Sequence, residues 1–188
     1  MVLSACGPGD AEGEVVRELV YQSVADAEAE ARANGWESQV RLLEDGVVTA
    51  AEYEQAIDNT RACAERGANG ITEPVLSPVD NLTLEFGFPL GAMAEEDVWA
   101  VSDDCSQQHL WTVQAAYVST HDAVMDVDIR VDTLACMADH GHPIAADVRN
   151  AREMAARIGR DAESQLAECI SDVTLRLRPE LESIGVSW

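Results

Sequence analysis

A mainly helical α+β domain with one small β-hairpin around residues 70–88, stapled by two disulfides, is the architecture this sequence predicts. Apolar residues return at three- and four-residue steps over most of the chain, the spacing of helices that bury one face. One stretch breaks that rule: Leu82, Leu84, Phe86 and Phe88 alternate with Thr83, Glu85 and Gly87, the period-two pattern of a strand. Four of the 5 cysteines fall inside or at the ends of the helical segments, an even set. At 188 residues and 20.3 kDa the chain is long enough to bury a core without covalent help, so size alone does not demand the disulfides.

Residues 14–33 read as the first helix, with Val15, Val16, Leu19, Val20, Val24, Ala27 and Ala31 on one stripe and Asn34-Gly35 as its stop. Residues 36–43 form a shorter amphipathic piece ended by Glu44-Asp45-Gly46. Thr49 then opens a helix through a capping box: its hydroxyl accepts from the amide of Glu52, whose carboxylate reaches back. Tyr53, Ala56, Ile57, Thr60 and Cys63 share its inner stripe. The strand over 82–88 takes residues 71–76 as its hairpin partner, and Pro74 confines that partner to an edge.

Residues 95–120 predict one long helix, acidic at its start as the helix dipole favours, carrying Val98, Val101, Cys105, Leu110, Val113 and Tyr117. Residues 122–139 predict another, with Val124, Val127, Val131, Leu134 and Ala138 as its buried stripe and Gly141 and Pro143 as its breakers. A last helix over 144–170, kinked at Gly159, brings Cys169 near its end, and the tail over 175–188 packs back through Trp188. Residues 1–13, glycine-rich and without periodicity, read as a flexible tether. Residues 14–188 form a single domain, with two cysteine-stapled units, 14–121 and 122–188, as the alternative division. A half-matching repeat supports that alternative: Cys63 to Gly67 and Cys136 to Gly141 each end a helix with cysteine, an acidic residue and glycine.

Charge narrows the function. The 12 basic residues are all arginine, against 35 acidic residues, for a net charge of −23. Such a surface repels phosphate backbones and anionic headgroups, which excludes nucleic acid as a partner and electrostatic docking on a membrane. The order of Cys63, Cys105, Cys136 and Cys169 along the helices favours the pairs Cys63–Cys105 and Cys136–Cys169, the mark of an exported protein. Four reduced thiols buried in a cytosolic core are the alternative.

Leu3-Ser4-Ala5-Cys6 resembles a bacterial lipobox, in which small side chains enter a peptidase groove and the cysteine thiol takes a diacylglyceryl group. Five residues precede Cys6, fewer than the charged start and the apolar run of about seven or more that an export segment needs, so that segment is expected outside this sequence. Together with Asp45-Gly46-Val47-Val48-Thr49-Ala50-Ala51-Glu52-Tyr53, Thr60-Arg61-Ala62-Cys63 and Asp104-Cys105 with His109 four residues on, the lipobox makes the chain similar to small acidic envelope lipoproteins of the actinobacterial type. The likeness covers roughly residues 42–117 plus the lipobox. It implies an envelope location, paired cysteines and no assigned activity.

Candidate chemistry is sparse. The run from Asp45 to Glu52 also resembles the second half of a calcium loop, but loop positions 1 and 3 fall on Arg41 and Leu43, which lack carboxylates. Cys136, His140 and His142 offer a thiolate and two imidazoles to a zinc- or copper-like ion if the thiol is reduced. Asp103-Asp104, Glu95-Glu96 and Asp126 with Asp128 could pair as acid and base, yet in so acidic a chain such pairs are usually solvated helix faces. No nucleophile-elbow, phosphate-loop, zinc-hydrolase or dinucleotide motif is present. The reading is therefore a non-enzymatic extracytoplasmic lipoprotein, anchored through Cys6, acting as a binding or assembly module without a cofactor, metal or catalytic residues. The alternatives are an exported hydrolase with an acidic cleft near the hairpin, and a reduced metal-binding protein using Cys136, His140 and His142.

Overall fold

Helix starts and stops follow local chemistry in the computed structural model, which describes residues 23–181 and 184–186. Ser23 caps α1 (Val24–Asn34) by accepting from the Asp26 amide, and Gly35 closes it in the left-handed region at φ 74°, where a Cβ would be strained. The remainder of the first predicted helix, with the tether, Cys6 and Trp188, lies outside the described residues. The next two helices are α2 (Glu37–Leu43) and α3 (Ala50–Gly67), and α3 opens with both halves of the Thr49–Glu52 capping box in place.

The hairpin is shorter than the alternation suggests. Strands β1 (Val75–Leu76) and β2 (Leu84–Glu85) pair antiparallel, Val75 opposite Glu85 and Leu76 opposite Leu84. Pairing continues only through single bonds, Ser77 N to Thr83 O (2.7 Å) and Thr72 N to Gly87 O (2.9 Å). Pro74 has no N–H to add to the ladder. Asp80 holds the turn by accepting from the amides of Leu82 and Thr83, both at 2.9 Å.

Five further α-helices follow the hairpin: α4 (Glu95–His109), α5 (Trp111–Thr120), α6 (Val127–Asp139), the short α7 (Ala151–Ala155) and, after a 3-10 turn at Arg160–Ala162, α8 (Glu163–Leu177). Three of them correct the expectations. The long helix over 95–120 breaks at Leu110 because α2 reaches into it. The buried Gln39 amide donates to Gln107 O (2.6 Å) and its oxygen accepts from Thr112 N and Thr112 Oγ1 (both 2.8 Å), capping the end of α4 and the start of α5 at once.

The helix predicted from 122 begins at 127, since residues 124–126 run extended and hydrogen-bond to the hairpin turn: Val124 N to Asp80 O and Asp126 N to Pro78 O, each 2.9 Å. Its inner face is Ile129, Thr133 and Met137, with Met125 buried just ahead of it, whereas Val124, Val127, Val131 and Ala138, expected inside, are exposed. Both faces of α6 are apolar at helical spacing, so periodicity alone could not choose between them. The helix predicted over 144–170 is interrupted. Residues 144–150 are irregular, Asn150 caps α7 by accepting from the Glu153 amide, and α8 runs on to Leu177, placing Cys169 at mid-helix.

Two cores result. The first gathers Ala27, Ala31, Leu43, Tyr53, Ile57, Val113 and neighbours from α1, α2, α3 and α5; the second gathers Met125, Ile129, Met137, Met154, Leu166 and Ile170 around α6, α7 and α8. The hairpin bolts them together: Ile71, Leu84 and Phe86 pack on the first core while Val79, in its turn, is buried in the second. Disulfides Cys63–Cys105 and Cys136–Cys169 tie α3 to α4 and α6 to α8, with Cα atoms 5.7 and 5.8 Å apart, ordinary separations for the bond.

Candidate functional site

The one cluster of three or more potential metal donors among the described residues forms where α6 ends beside α8. Gly141, at φ 84°, stops α6 one turn after Cys136, so His140 falls at position i+4 from that cysteine and its ring lies back along the same helix face. Cys169, 1% exposed, comes up from the middle of α8. His140 Nδ1 lies 3.9 Å from each sulfur of the Cys136–Cys169 disulfide and 2.9 Å from the Cys136 carbonyl oxygen, to which it donates. A half-buried sulfur, a buried sulfur and an exposed imidazole thus converge on one point.

This differs from the Cys136, His140, His142 set expected from spacing: the third member of the cluster is Cys169, not His142. Chain order hid that, because Cys169 is distant in sequence and only the packing of α6 on α8 brings it in. Among the described residues the Cys63–Cys105 disulfide has no such company. His109, a turn beyond Cys105, is instead engaged by Ser38 Oγ at 2.8 Å, and burial with the nearby Arg66 charge lowers its pKa.

The carboxylate pairs expected as candidate acid and base sit as follows. Glu95, Glu96, Asp103 and Asp104 are exposed on α4. Asp126 and Asp128 both bind Arg178, at 2.8 and 3.0 Å, and the Arg178 side chain holds Asp128 below the usual carboxylate range. Glu52 is consumed by the capping box and Asp45 accepts from the Val47 amide, which explains the calcium-like letters without an ion. A cleft of about 230 Å³ does open where the two cores meet, flanked by Asp80, His121, Asp122, Arg149 and Glu153. Its Glu153 is kept ionised by the Arg149 amide and guanidinium. The carboxylate that burial pushes upward, Glu85 on β2, accepts from the Gly185 amide and does not line that cleft.

No protein-family model matches this chain, and neither a curated protein nor a solved structure is significantly similar to it. Among the described residues, no helix is long and apolar enough to cross a membrane.

Proposed function

We propose that this chain is an extracytoplasmic, non-enzymatic binding or assembly module of the envelope-lipoprotein kind, tethered through lipid on Cys6. Two disulfides fit an oxidising compartment. The observation that carries the binding role is the outward face of α6, where Val127 and Val131 are 66% and 54% exposed, with Val124 also exposed just ahead of the helix. A helix that already buries Ile129, Thr133 and Met137 on one side has no folding reason for valines on the other. With a net charge of −23 on the chain as a whole, the complementary partner is an amphipathic helix with an apolar stripe and basic flanks, laid against α6.

A labelled synthetic helix with a leucine stripe and lysine flanks tests this by fluorescence anisotropy. It is expected to bind, to weaken as salt rises, and to lose roughly ten-fold or more in affinity against the Val127→Ser, Val131→Ser double variant, from lost apolar burial. A scrambled peptide that binds equally well, or a double variant that binds unchanged, would overturn the assignment.

A further inference from the structure

We propose that the Cys136–Cys169 disulfide masks a metal site, and that on reduction Cys136, Cys169 and His140 bind one thiophilic d10 cation, zinc(II) or copper(I). The donors are already gathered: the three ligating atoms lie within 4.8 Å of one another, with His140 Nδ1 3.9 Å from both sulfurs. In a tetrahedral site with metal–sulfur bonds of about 2.3 Å and metal–nitrogen bonds of about 2.0–2.1 Å, sulfur and nitrogen stand roughly 3.6 Å apart, so the imidazole needs to move only slightly. The Cα atoms, 5.8 Å apart on two packed helices, let both thiolates turn toward one ion by side-chain rotation without moving the backbone far. Two thiolates and an imidazole suit a soft or borderline ion and not calcium or magnesium. Three protein donors leave one tetrahedral position for water on zinc, or complete a trigonal site for copper(I).

The chemistry balances with a dithiol as the reductant. The Cys136–Cys169 S–S bond breaks, each sulfur gains a proton and an electron from the dithiol, and the dithiol closes to its own disulfide. On metal binding the two thiols release two protons, and the His140 proton moves from Nδ1 to the other ring nitrogen, freeing Nδ1 from the Cys136 carbonyl for the ion. The oxidised protein offers no thiolate there, so binding is gated by the redox state of this one bond. Among the described residues the other disulfide belongs to no such cluster, and it provides an internal control. The inference stands apart from the binding role of α6's outer face and fails or succeeds without it.

The test uses the full chain carrying Cys6→Ser, treated with a phosphine, which reduces each disulfide to two thiols while water supplies the oxygen of the phosphine oxide, and then titrated with cobalt(II) and zinc(II). One cobalt per chain with a sulfur-to-cobalt charge-transfer band is expected, displaced by zinc, and absent from unreduced protein. His140→Ala is expected to weaken binding at least as much as the roughly 10- to 100-fold lost when an outer-shell partner is removed, while His142→Ala leaves it unchanged. Circular dichroism on the same samples reports whether the helices survive reduction. If reduced protein binds no cobalt, or if His140→Ala and His142→Ala bind as tightly as the parent, the site does not exist. The second pattern is that of an unfolded chain whose thiols bind indiscriminately.

Discussion

Each half of the molecule fastens two helices with a disulfide, across 42 residues in the first half and 33 in the second, yet what surrounds the bond differs. The first core is rich in alanine and valine, with Tyr53 stacked on Tyr117 at 4.9 Å, and the fully buried Gln39 satisfies donors and acceptors on α4 and α5. The second core is filled by Met125, Met137 and Met154, flexible thioethers that pack into irregular gaps without fixing a single geometry. Its buried hydroxyls at Thr133 and Thr174 find no partner among the described residues. Besides its disulfide, the first half is specified by buried directional bonds; the second depends more on adaptable packing and on half-buried to exposed ion pairs such as Arg178 with Asp126 and Asp128.

The largest effect should come from removing a disulfide. On the chain-entropy account each closure contributes about 4 kcal/mol, because loop length enters only as a logarithm. Cys63→Ala with Cys105→Ala, and Cys136→Ala with Cys169→Ala, are therefore expected to lose similar global stability in urea. Their local consequences should diverge. Without Cys136–Cys169, amide exchange is expected to accelerate across α6 and α8 while α1 to α5 keep their protection. Without Cys63–Cys105, the Gln39 bonds still hold α4 and α5 to α2. Uniform acceleration over both halves in either variant would erase the distinction between them.

Next in size is Gln39 itself. Gln39→Ala strands the buried Thr112 amide and hydroxyl and the half-buried Gln107 carbonyl, and unmade hydrogen bonds of this kind sum to about 3 kcal/mol. Urea denaturation measures the loss. A loss below about 1 kcal/mol would mean that the first half is not held by this hub.

Gln39 also shows what the sequence could and could not reveal. Signals complete within a few residues were legible: the Thr49–Glu52 box, the Gly35 stop and the hairpin alternation; so was the pairing of cysteines, through their order along the helices. The break at Leu110 was not, because its cause lies about 70 residues upstream in a glutamine that reads as an ordinary helix-surface residue. The face of α6 was ambiguous for another reason: two apolar stripes run along it, and only the packing of α8 selects Ile129 and Met137 over Val127 and Val131. At the cysteine–histidine cluster, the local pair Cys136 and His140 could be read from spacing, while Cys169 enters through tertiary packing.

The smallest effect is also the one that separates the halves by sign. Thr60 in the first half and Thr133 in the second are both fully buried on helices, but the Thr60 hydroxyl donates to the Ala56 carbonyl at 2.9 Å whereas that of Thr133 has no partner among the described residues. Valine has nearly the same shape without the hydroxyl. Thr60→Val gives up a made hydrogen bond and is expected to cost about 1 kcal/mol, while Thr133→Val removes an uncompensated desolvated group and is expected to gain about 1 kcal/mol. Paired urea curves decide the matter, since changes of this size shift the midpoint without altering the slope if the transition stays two-state. Opposite signs would establish that the second half carries buried polar groups its packing does not satisfy. A loss at both positions would mean that the Thr133 hydroxyl is satisfied in solution, and the contrast between a bonded first core and an adaptable second one would then rest on Gln39 and the methionines alone.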